Sequence, residues 1–212
     1  MAVSVIVSIL NQKGGSGKTT LATNIAMGLF REGGRVLLVD TDPQGSARDW
    51  RAAWEDNPVP VIGLDRPTLA RDISAVGEDY DIVIVDGAPQ LQEMAAAAIK
   101  ASDAILIPVQ PSPYDIWATS DLVDLIGARQ EISEGRLQAS FVVSRAIRNT
   151  RLSKEVFDAL SHYSMGTFSS FTSQRVSYAM SASEGRSVFD MEDFNAQLEI
   201  HSIIGELMQW VN

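Results

Sequence analysis

Residues 5–20 read Val5-Ile6-Val7-Ser8-Ile9-Leu10-Asn11-Gln12-Lys13-Gly14-Gly15-Ser16-Gly17-Lys18-Thr19-Thr20, and they decide how the chain folds. An apolar run ends in a turn with glycine at three of four positions, and a helix-forming segment follows directly. In such a turn successive backbone N–H groups point inward, and the dipole of the following helix adds positive potential. The stretch therefore predicts a phosphate-binding loop between a buried strand and a helix.

Residues 13–20, called the phosphate loop below, carry the groups that a nucleotide needs. Lys18 would reach the β- and γ-phosphates, and the Thr19 hydroxyl would hold Mg²⁺. The usual phosphate-loop pattern has glycine where this chain has Gln12, and a second lysine, Lys13, stands at the start of the turn. The predicted contacts of this loop with a bound polyphosphate are Lys13, Gly14, Gly15, Ser16, Gly17, Lys18, Thr19 and Thr20, and the family resemblance described below implies that this ligand is ATP.

Length and composition favour one domain over residues 1–212. The chain has 45% hydrophobic residues, enough to fill a single core. It has no cysteine, which excludes disulfides and thiolate metal sites. Because no signal sequence and no run of about 18 apolar residues is present, a cytoplasmic protein is expected. The formal net charge of −10 means that any contact with DNA needs a local basic patch.

Short apolar runs alternate with segments of helical spacing along the chain. The runs are Val3–Leu10, Val36–Val39, Val59–Leu64, Ile82–Val85, Ala104–Val109 and Phe141–Val143. Most are continuous, which is typical of parallel strands covered on both faces. The helical segments are Lys18–Glu32, Ser46–Trp54, Thr68–Val76, Leu91–Ala101, Tyr114–Glu131, Leu152–Tyr163 and Met191–Val211. We predict an α/β fold with a mostly parallel twisted sheet, flanked by helices on both faces, that binds ligands at the carboxyl ends of its strands.

Aspartates stand where two of these strands end. Asp40 and Asp42 follow the second run, and Asp86 follows the apolar residues 82–85. The latter is the Walker B arrangement, in which a rigid strand delivers one carboxylate to Mg²⁺. All three carboxylates should face the phosphate loop.

The phosphate loop resembles the deviant Walker A motif of the ParA/MinD family of ATPases, and the chain is similar to short ParA/ParF-type partition proteins. The resemblance extends from Val5 to Phe189 and includes a D-x-D-P-Q-G motif at residues 40–45 and a signature segment, residues 174–189. It implies that Lys13 crosses a dimer interface to the partner's nucleotide, that Asp42 positions the attacking water and that Asp40 supports the metal. The expected catalytic residues are Lys13, Lys18 and Asp42, and the expected metal residues are Thr19, Asp40 and Asp86.

The proline loop, residues 108–115, has three prolines and should be stiff. The resemblance implies that this loop borders the adenine and the dimer interface, with ATP contacts from Pro111, Ser112, Pro113 and Arg145. A plain connector between a strand and a helix is the alternative.

Basic residues recur every third position at Arg145, Arg148, Arg151 and Lys154, with no acid among them. Such a stripe on an acidic chain suits contacts with DNA phosphates that do not depend on base sequence. The candidate DNA contacts are Arg148, Arg151, Lys154, Arg175 and Arg186. A solvated helix face is the alternative.

The resemblance implies an ATP-dependent homodimer on nucleoid DNA, whose hydrolysis a ParB-like or adaptor protein stimulates while a cargo is positioned. A MinD-like membrane-patterning ATPase is disfavoured, because no lysine or arginine follows Arg186 to bind anionic lipid. A small-molecule synthetase that uses ATP is the other alternative, and it would need a second substrate pocket.

Overall fold

The structure, a computed structural model, describes residues 4–89, 92–147 and 151–211, without the side chains of residues 151–154. Seven parallel strands form one sheet in the order β3-β2-β4-β1-β5-β6-β7. The strands are β1 (Val5–Ile9), β2 (Val36–Asp40), β3 (Val61–Gly63), β4 (Ile82–Asp86), β5 (Ala104–Val109), β6 (Gln138–Val143) and β7 (Gly166–Thr167). The predicted fold class is confirmed.

Helices cover both faces of the sheet. They are α1 (Lys18–Arg31), α2 (Ser46–Ala52), α3 (Leu69–Val76), α4 (Gln92–Ala101), α5 (Pro113–Trp117), α6 (Ser120–Ile132), α7 (Arg151–Leu160), α8 (Val176–Ser183) and α9 (Phe194–Val211). Alternate strand residues face opposite cores: Ile82 and Ile84 pack with α1 and α9, whereas Val83 and Val85 pack with α3, α4 and α6. Burial on both faces explains why the strand sequences are continuously apolar.

The parallel register aligns the carboxyl ends of the central strands. Ile9 of β1 lies opposite Asp86 of β4, and Asp86 lies opposite Asp40 of β2. The loops that follow these three strands therefore begin at the same edge of the sheet. β1 also pairs with β5, so the proline loop starts beside the phosphate loop. This is the point at which the strand order reverses, where sheets of this class bind ligands.

Three details differ from the sequence-based expectation. β7 lies within residues 164–170, where a loop was expected, and α8 was not predicted. The predicted helix Tyr114–Glu131 is two helices, which are separated at the buried Thr119. The hydroxyl and the backbone N–H of Thr119 both donate to the carbonyl oxygen of Ile116, the hydroxyl at 2.6 Å. Such local bonds replace the regular i→i−4 bond and end α5.

The C-terminal helix packs on the core. In α9, Ile200, Ile203, Ile204 and Leu207 are buried in the cluster that also contains the apolar face of α1. Within the described part of the chain, no helix has both the length and the apolarity to cross a membrane.

Candidate nucleotide-binding and catalytic site

The backbone of the phosphate loop requires glycine at the position before α1. Gly17 has φ +104°, and a Cβ atom there would lie 2.5 Å from the Ser144 hydroxyl oxygen. Any side chain would therefore be strained by its backbone and would displace the Ser144 side chain, which follows β6. The hydroxyl oxygen of Ser16 is buried and has no hydrogen-bond partner among the described residues. A buried polar atom of this kind suits a loop that surrounds a polar ligand.

The side chains of Thr19 and Asp86 contact each other at the base of the loop. The Thr19 hydroxyl donates to Asp86 Oδ2 (2.7 Å), and Asp86 is only 1% exposed. Burial raises the pKa of Asp86 to about 7, although the bond from Thr19 and the charge of Lys18 oppose the rise. Asp86 Oδ1 has no partner among the described residues. A hydroxyl beside an incompletely satisfied carboxylate is an oxygen set that fits Mg²⁺.

The Lys18 side chain is held against the phosphate loop by a hydrogen bond to the backbone of that loop. It is 7% exposed, and its ammonium group donates to the Lys13 carbonyl oxygen (3.1 Å). Desolvation lowers the pKa of Lys18, while the charges of Asp86 and Asp42 oppose that shift. A poorly hydrated cation at a ring of inward N–H groups favours the binding of an anion.

Asp40 and Asp42 have different surroundings although one residue separates them. Asp40 is fully buried and accepts hydrogen bonds from the backbone N–H groups of Asp42, Ala47 and Arg48. The Asp40 carboxylate thus fixes residues 41–45, called the Asp42 loop below. Asp40 therefore supports this loop from within the core. Asp42 is half-buried and accepts from the Gln44 N–H through Oδ1 alone.

Thr41, which sequence reasoning missed, fastens this loop to the end of β4. Its hydroxyl donates to the Asp86 carbonyl oxygen (2.8 Å) and accepts from the Ala88 N–H (3.0 Å). The Asp42 loop and Asp86 are therefore one unit. A lone threonine between two aspartates gives no sign of this in the sequence.

The proline loop lies against the phosphate loop. Gln110 donates its side-chain amide to the Gly15 carbonyl oxygen (2.7 Å), and Lys13 forms an ion pair with Asp115 (2.6 Å). Pro113 is the first residue of α5, where its missing N–H costs no helical bond.

A cavity of about 340 Å³ opens beside Thr20. It is lined by the ends of β6 and of the segment before α8, including Ser144, Arg145, Thr172, Ser173 and Gln174. Its size and its place beside the phosphate loop suit the nucleoside part of ATP. Arg145, a predicted ATP contact, lines this cavity, whereas Pro111, Ser112 and Pro113 are not among its described lining residues. Residues 172–174 were missed, because a loop after a two-residue strand leaves no periodic signal.

The first half of the signature segment forms a buried polar network. Glu199 of α9 accepts from Ser173, Arg175 and Tyr178. Desolvation acts to raise the pKa of Glu199, but these hydrogen bonds lower it below the ordinary value. Burial and the Glu199 charge raise the pKa of the Tyr178 hydroxyl. The network ties α9 to the wall of the cavity, a role that the sequence did not reveal.

The second half of the segment holds α2. Gly185 has φ +67°, and its carbonyl oxygen accepts from the side-chain amide of Asn57 (2.9 Å). The Trp50 ring N–H donates to the Arg186 carbonyl oxygen (2.8 Å), and the Arg186 guanidinium stacks 4.5 Å from the centre of the Trp54 ring. Since α2 follows the loop that carries Asp42, the segment anchors the helix behind that aspartate.

The candidate DNA contacts fall into two groups. Arg148 lies outside the described residues, and Arg151 and Lys154 are in the first turn of α7 with side chains outside the description. Arg175 bonds to Glu199 and Asp193, with 19% of its side chain exposed. Arg186 stacks on Trp54, with 40% of its side chain exposed. Two of the five candidates, Arg175 and Arg186, are thus engaged within the chain.

Comparisons with known proteins agree with this geometry. A family model described as an AAA domain matches residues 4–57 and 52–139. The maintenance of carboxysome distribution protein A of Halothiobacillus neapolitanus is 31% identical over 207 residues, covering 95% of both chains. The chromosome-partitioning ATPase Soj of Thermus thermophilus is 31% identical over 159 residues, covering 61% of this chain and 63% of its own. This chain belongs to the ParA/MinD family of ATPases.

Solved structures show the same fold for this member of the family. The complex of a substituted Cyanothece McdA with ATP has a TM-score of 0.76 at 14% identity and covers 98% of this chain and 97% of its own. Cobyrinic acid a,c-diamide synthase from Mycobacterium smegmatis, with an ATP analogue and magnesium, has a TM-score of 0.78 at 19% identity and covers 98% and 95%. The fold thus occurs both in McdA and in a synthase.

Proposed function

We propose that this chain is an Mg²⁺-dependent ATPase that dimerises when it binds ATP and positions an intracellular cargo through partner-stimulated hydrolysis. The observation that carries the proposal is the convergence of four groups at one edge of the sheet. Lys18 and Thr19 begin α1, Asp86 contacts Thr19, and Thr41 fastens the Asp42 loop to the end of β4. Lys13 stands at the mouth of the same loop.

Each residue has a task that follows from its position. Bound Mg²⁺ supplies positive charge that offsets the charge of the triphosphate. Thr19 and Asp86 would hold the ion, and Asp40 would support it indirectly by fixing the Asp42 loop. Lys18 and the N–H groups of the phosphate loop bind the phosphates and stabilise the charge that develops during transfer. Asp42 orients the attacking water, and Lys13 reaches the nucleotide of the partner subunit.

The cargo and its adaptor belong to the same proposal. The carboxysome distribution relative supports a carboxysome-like compartment as cargo, and the chromosome-partitioning relative Soj supports a chromosome. Arg148, Arg151 and Lys154 are proposed to bind DNA phosphates without base specificity. A ParB-like or adaptor protein would then stimulate hydrolysis at the dimer.

Two other functions are weighed against this one. The core-facing stripe of α9 and its lack of basic residues count against a MinD-like membrane anchor. The likeness to cobyrinic acid a,c-diamide synthase supports a synthetase as the second candidate. Stimulation of ATP hydrolysis by DNA, with no stimulation by small carboxylates, would favour the cargo-positioning ATPase.

Two substitutions test the site. Lys18→Ala should lower ATP hydrolysis by about a hundredfold or more, because it removes a cation at the transferring phosphate. Asp42→Asn should abolish most turnover yet preserve dimerisation with ATP, since the amide cannot align the water but leaves the loop unchanged. Phosphate release and sedimentation velocity measure the two properties. Unimpaired hydrolysis by Lys18→Ala would refute the site assignment.

A further inference from the structure

We infer that Asp115 is a latch for Lys13: it holds the ammonium group within its own subunit, and the pair must open before Lys13 can reach the partner's nucleotide. The inference rests on the proposed function, in which Lys13 acts across the dimer. It adds a residue that sets how readily the dimer forms.

The ion pair between Lys13 and Asp115 is short, and its two side chains differ in their exposure to solvent. Lys13 Nζ lies 2.6 Å from Asp115 Oδ2, while 39% of the Lys13 side chain but only 5% of the Asp115 side chain is exposed. The other carboxylate oxygen, Oδ1, is buried without a hydrogen-bond partner among the described residues. Asp115 therefore depends on Lys13 for its neutralisation, whereas the lysine has access to the surface.

Opening the pair leaves a buried carboxylate without its cation. Removing one partner of a buried pair is costly, because the remaining charge is neither hydrated nor compensated. Dimer formation must offset this cost, so the pair raises the protein concentration at which ATP-bound dimers appear. Protomers would then stay apart until the nucleotide supplies a stronger anion for Lys13.

The phosphate loop links this latch to nucleotide binding. The Lys13 N–H donates to Asn11 Oδ1 (2.8 Å), and the Lys13 carbonyl oxygen accepts from the Lys18 ammonium (3.1 Å). When Lys18 turns to a phosphate, it releases that carbonyl. The loop then restrains Lys13 less, and the ion pair to Asp115 is the principal remaining restraint among its described contacts.

The surface around the latch has the character of an interface. Tyr114 and Trp117, on either side of Asp115 in the sequence, are 74% and 65% exposed and pack edge to face at 5.5 Å. Aromatic side chains are enriched where proteins meet. Both rings belong to α5, the helix that carries Asp115, so a second copy of this chain that received Lys13 would meet this helix.

Asp115→Asn tests the latch in a single subunit, without nucleotide. The substitution keeps the side-chain shape and removes the charge that holds Lys13. We expect acylation of the Lys13 amine, measured by mass spectrometry, to become several-fold faster, while Lys100, which is exposed, reacts at an unchanged rate. Asp121→Asn is the matched control, since it removes one negative charge from an exposed site on α6. Asp115→Ser repeats the test if the amide disturbs folding.

The second readout is dimerisation with a non-hydrolysable ATP analogue. Asp115→Asn should lower the dimer dissociation constant about tenfold or more in sedimentation experiments, and Asp121→Asn should not. Unchanged acylation, or a dimer weaker than that of the unsubstituted chain, would overturn the latch. If the unsubstituted chain forms no dimer with the analogue, the proposed function fails instead, and the acylation result still shows whether Asp115 holds Lys13.

Discussion

At the scale of single residues, Asp86 belongs to the proposed Mg²⁺ site, and the burial of its carboxyl lowers the stability of the fold. Its carboxyl is buried, and desolvation raises its pKa to about 7 from an ordinary value of 3.8. The folded chain therefore binds a proton that the unfolded chain has released between these pH values. Stability must fall as pH rises through this window and level off above pH 7. This contribution is the opposite of that of an aspartate in a favourable ion pair.

Asp86→Asn should accordingly stabilise the protein without nucleotide or Mg²⁺. The advantage should grow between pH 5 and pH 8 by about 3 kcal/mol, because the amide has no proton to lose. Urea denaturation at the two pH values measures it. Asp81→Asn is a control, since that aspartate is exposed in an ion pair with Arg35. An advantage of equal size at both pH values would show that burial does not govern the Asp86 proton.

At the scale of elements, α8 and α9 are joined by charge rather than by a broad apolar face. Only Tyr178 and Ser181 are buried in α8, while Val176 and Met180 are exposed. The helix is held by Arg175 and Tyr178, which converge on Glu199. Ser173, at the wall of the cavity, bonds to the same carboxylate.

Glu199→Gln should thus affect both stability and nucleotide binding. Losing a charged acceptor inside this network should cost about 1–3 kcal/mol of folding free energy. It should also weaken binding of a fluorescent ATP analogue, because Ser173 loses its anchor. Glu206→Gln is the matched control: Glu206 bonds to Ser169 and Ser170 in the same manner, but neither of these serines lines the cavity. Equal nucleotide affinity of the two variants would contradict a positioning role for Glu199.

The strands that carry aspartates at their ends could be predicted from the sequence, whereas α8, β7 and the partner of Asp115 could not. Asp40 and Asp86 could be predicted, because apolar runs mark the strands and parallel pairing brings their ends together. α8 could not, since two buried residues of eight leave no amphipathic period. β7 has only two residues. Asp115 was seen in a proline-rich loop, but its contact with Lys13 spans 102 positions and has no local signal.

At the scale of the whole molecule, a net charge of −10 repels DNA, so the proposed DNA binding needs a local basic patch. Arg175 is engaged by two carboxylates and Arg186 by Trp54, and the proposed DNA surface is the basic run that includes Arg151 and Lys154 in the first turn of α7. ATP-dependent dimerisation would present two copies of this surface at once. Two weak patches joined in this way bind DNA more tightly than either alone.

The double substitution Arg151→Ala and Lys154→Ala should therefore weaken DNA binding by the ATP-analogue dimer, equally for any base sequence. The slope of log affinity against log salt is negative, and each lost phosphate contact reduces its magnitude by about 1. The magnitude should therefore decrease by about 2 per protomer. Fluorescence anisotropy over a salt series measures it. Arg66→Ala with Lys100→Ala removes the same charge from exposed positions elsewhere and should shift the affinity slightly with the slope unchanged. If both pairs reduce the slope alike, net charge rather than the start of α7 governs DNA binding.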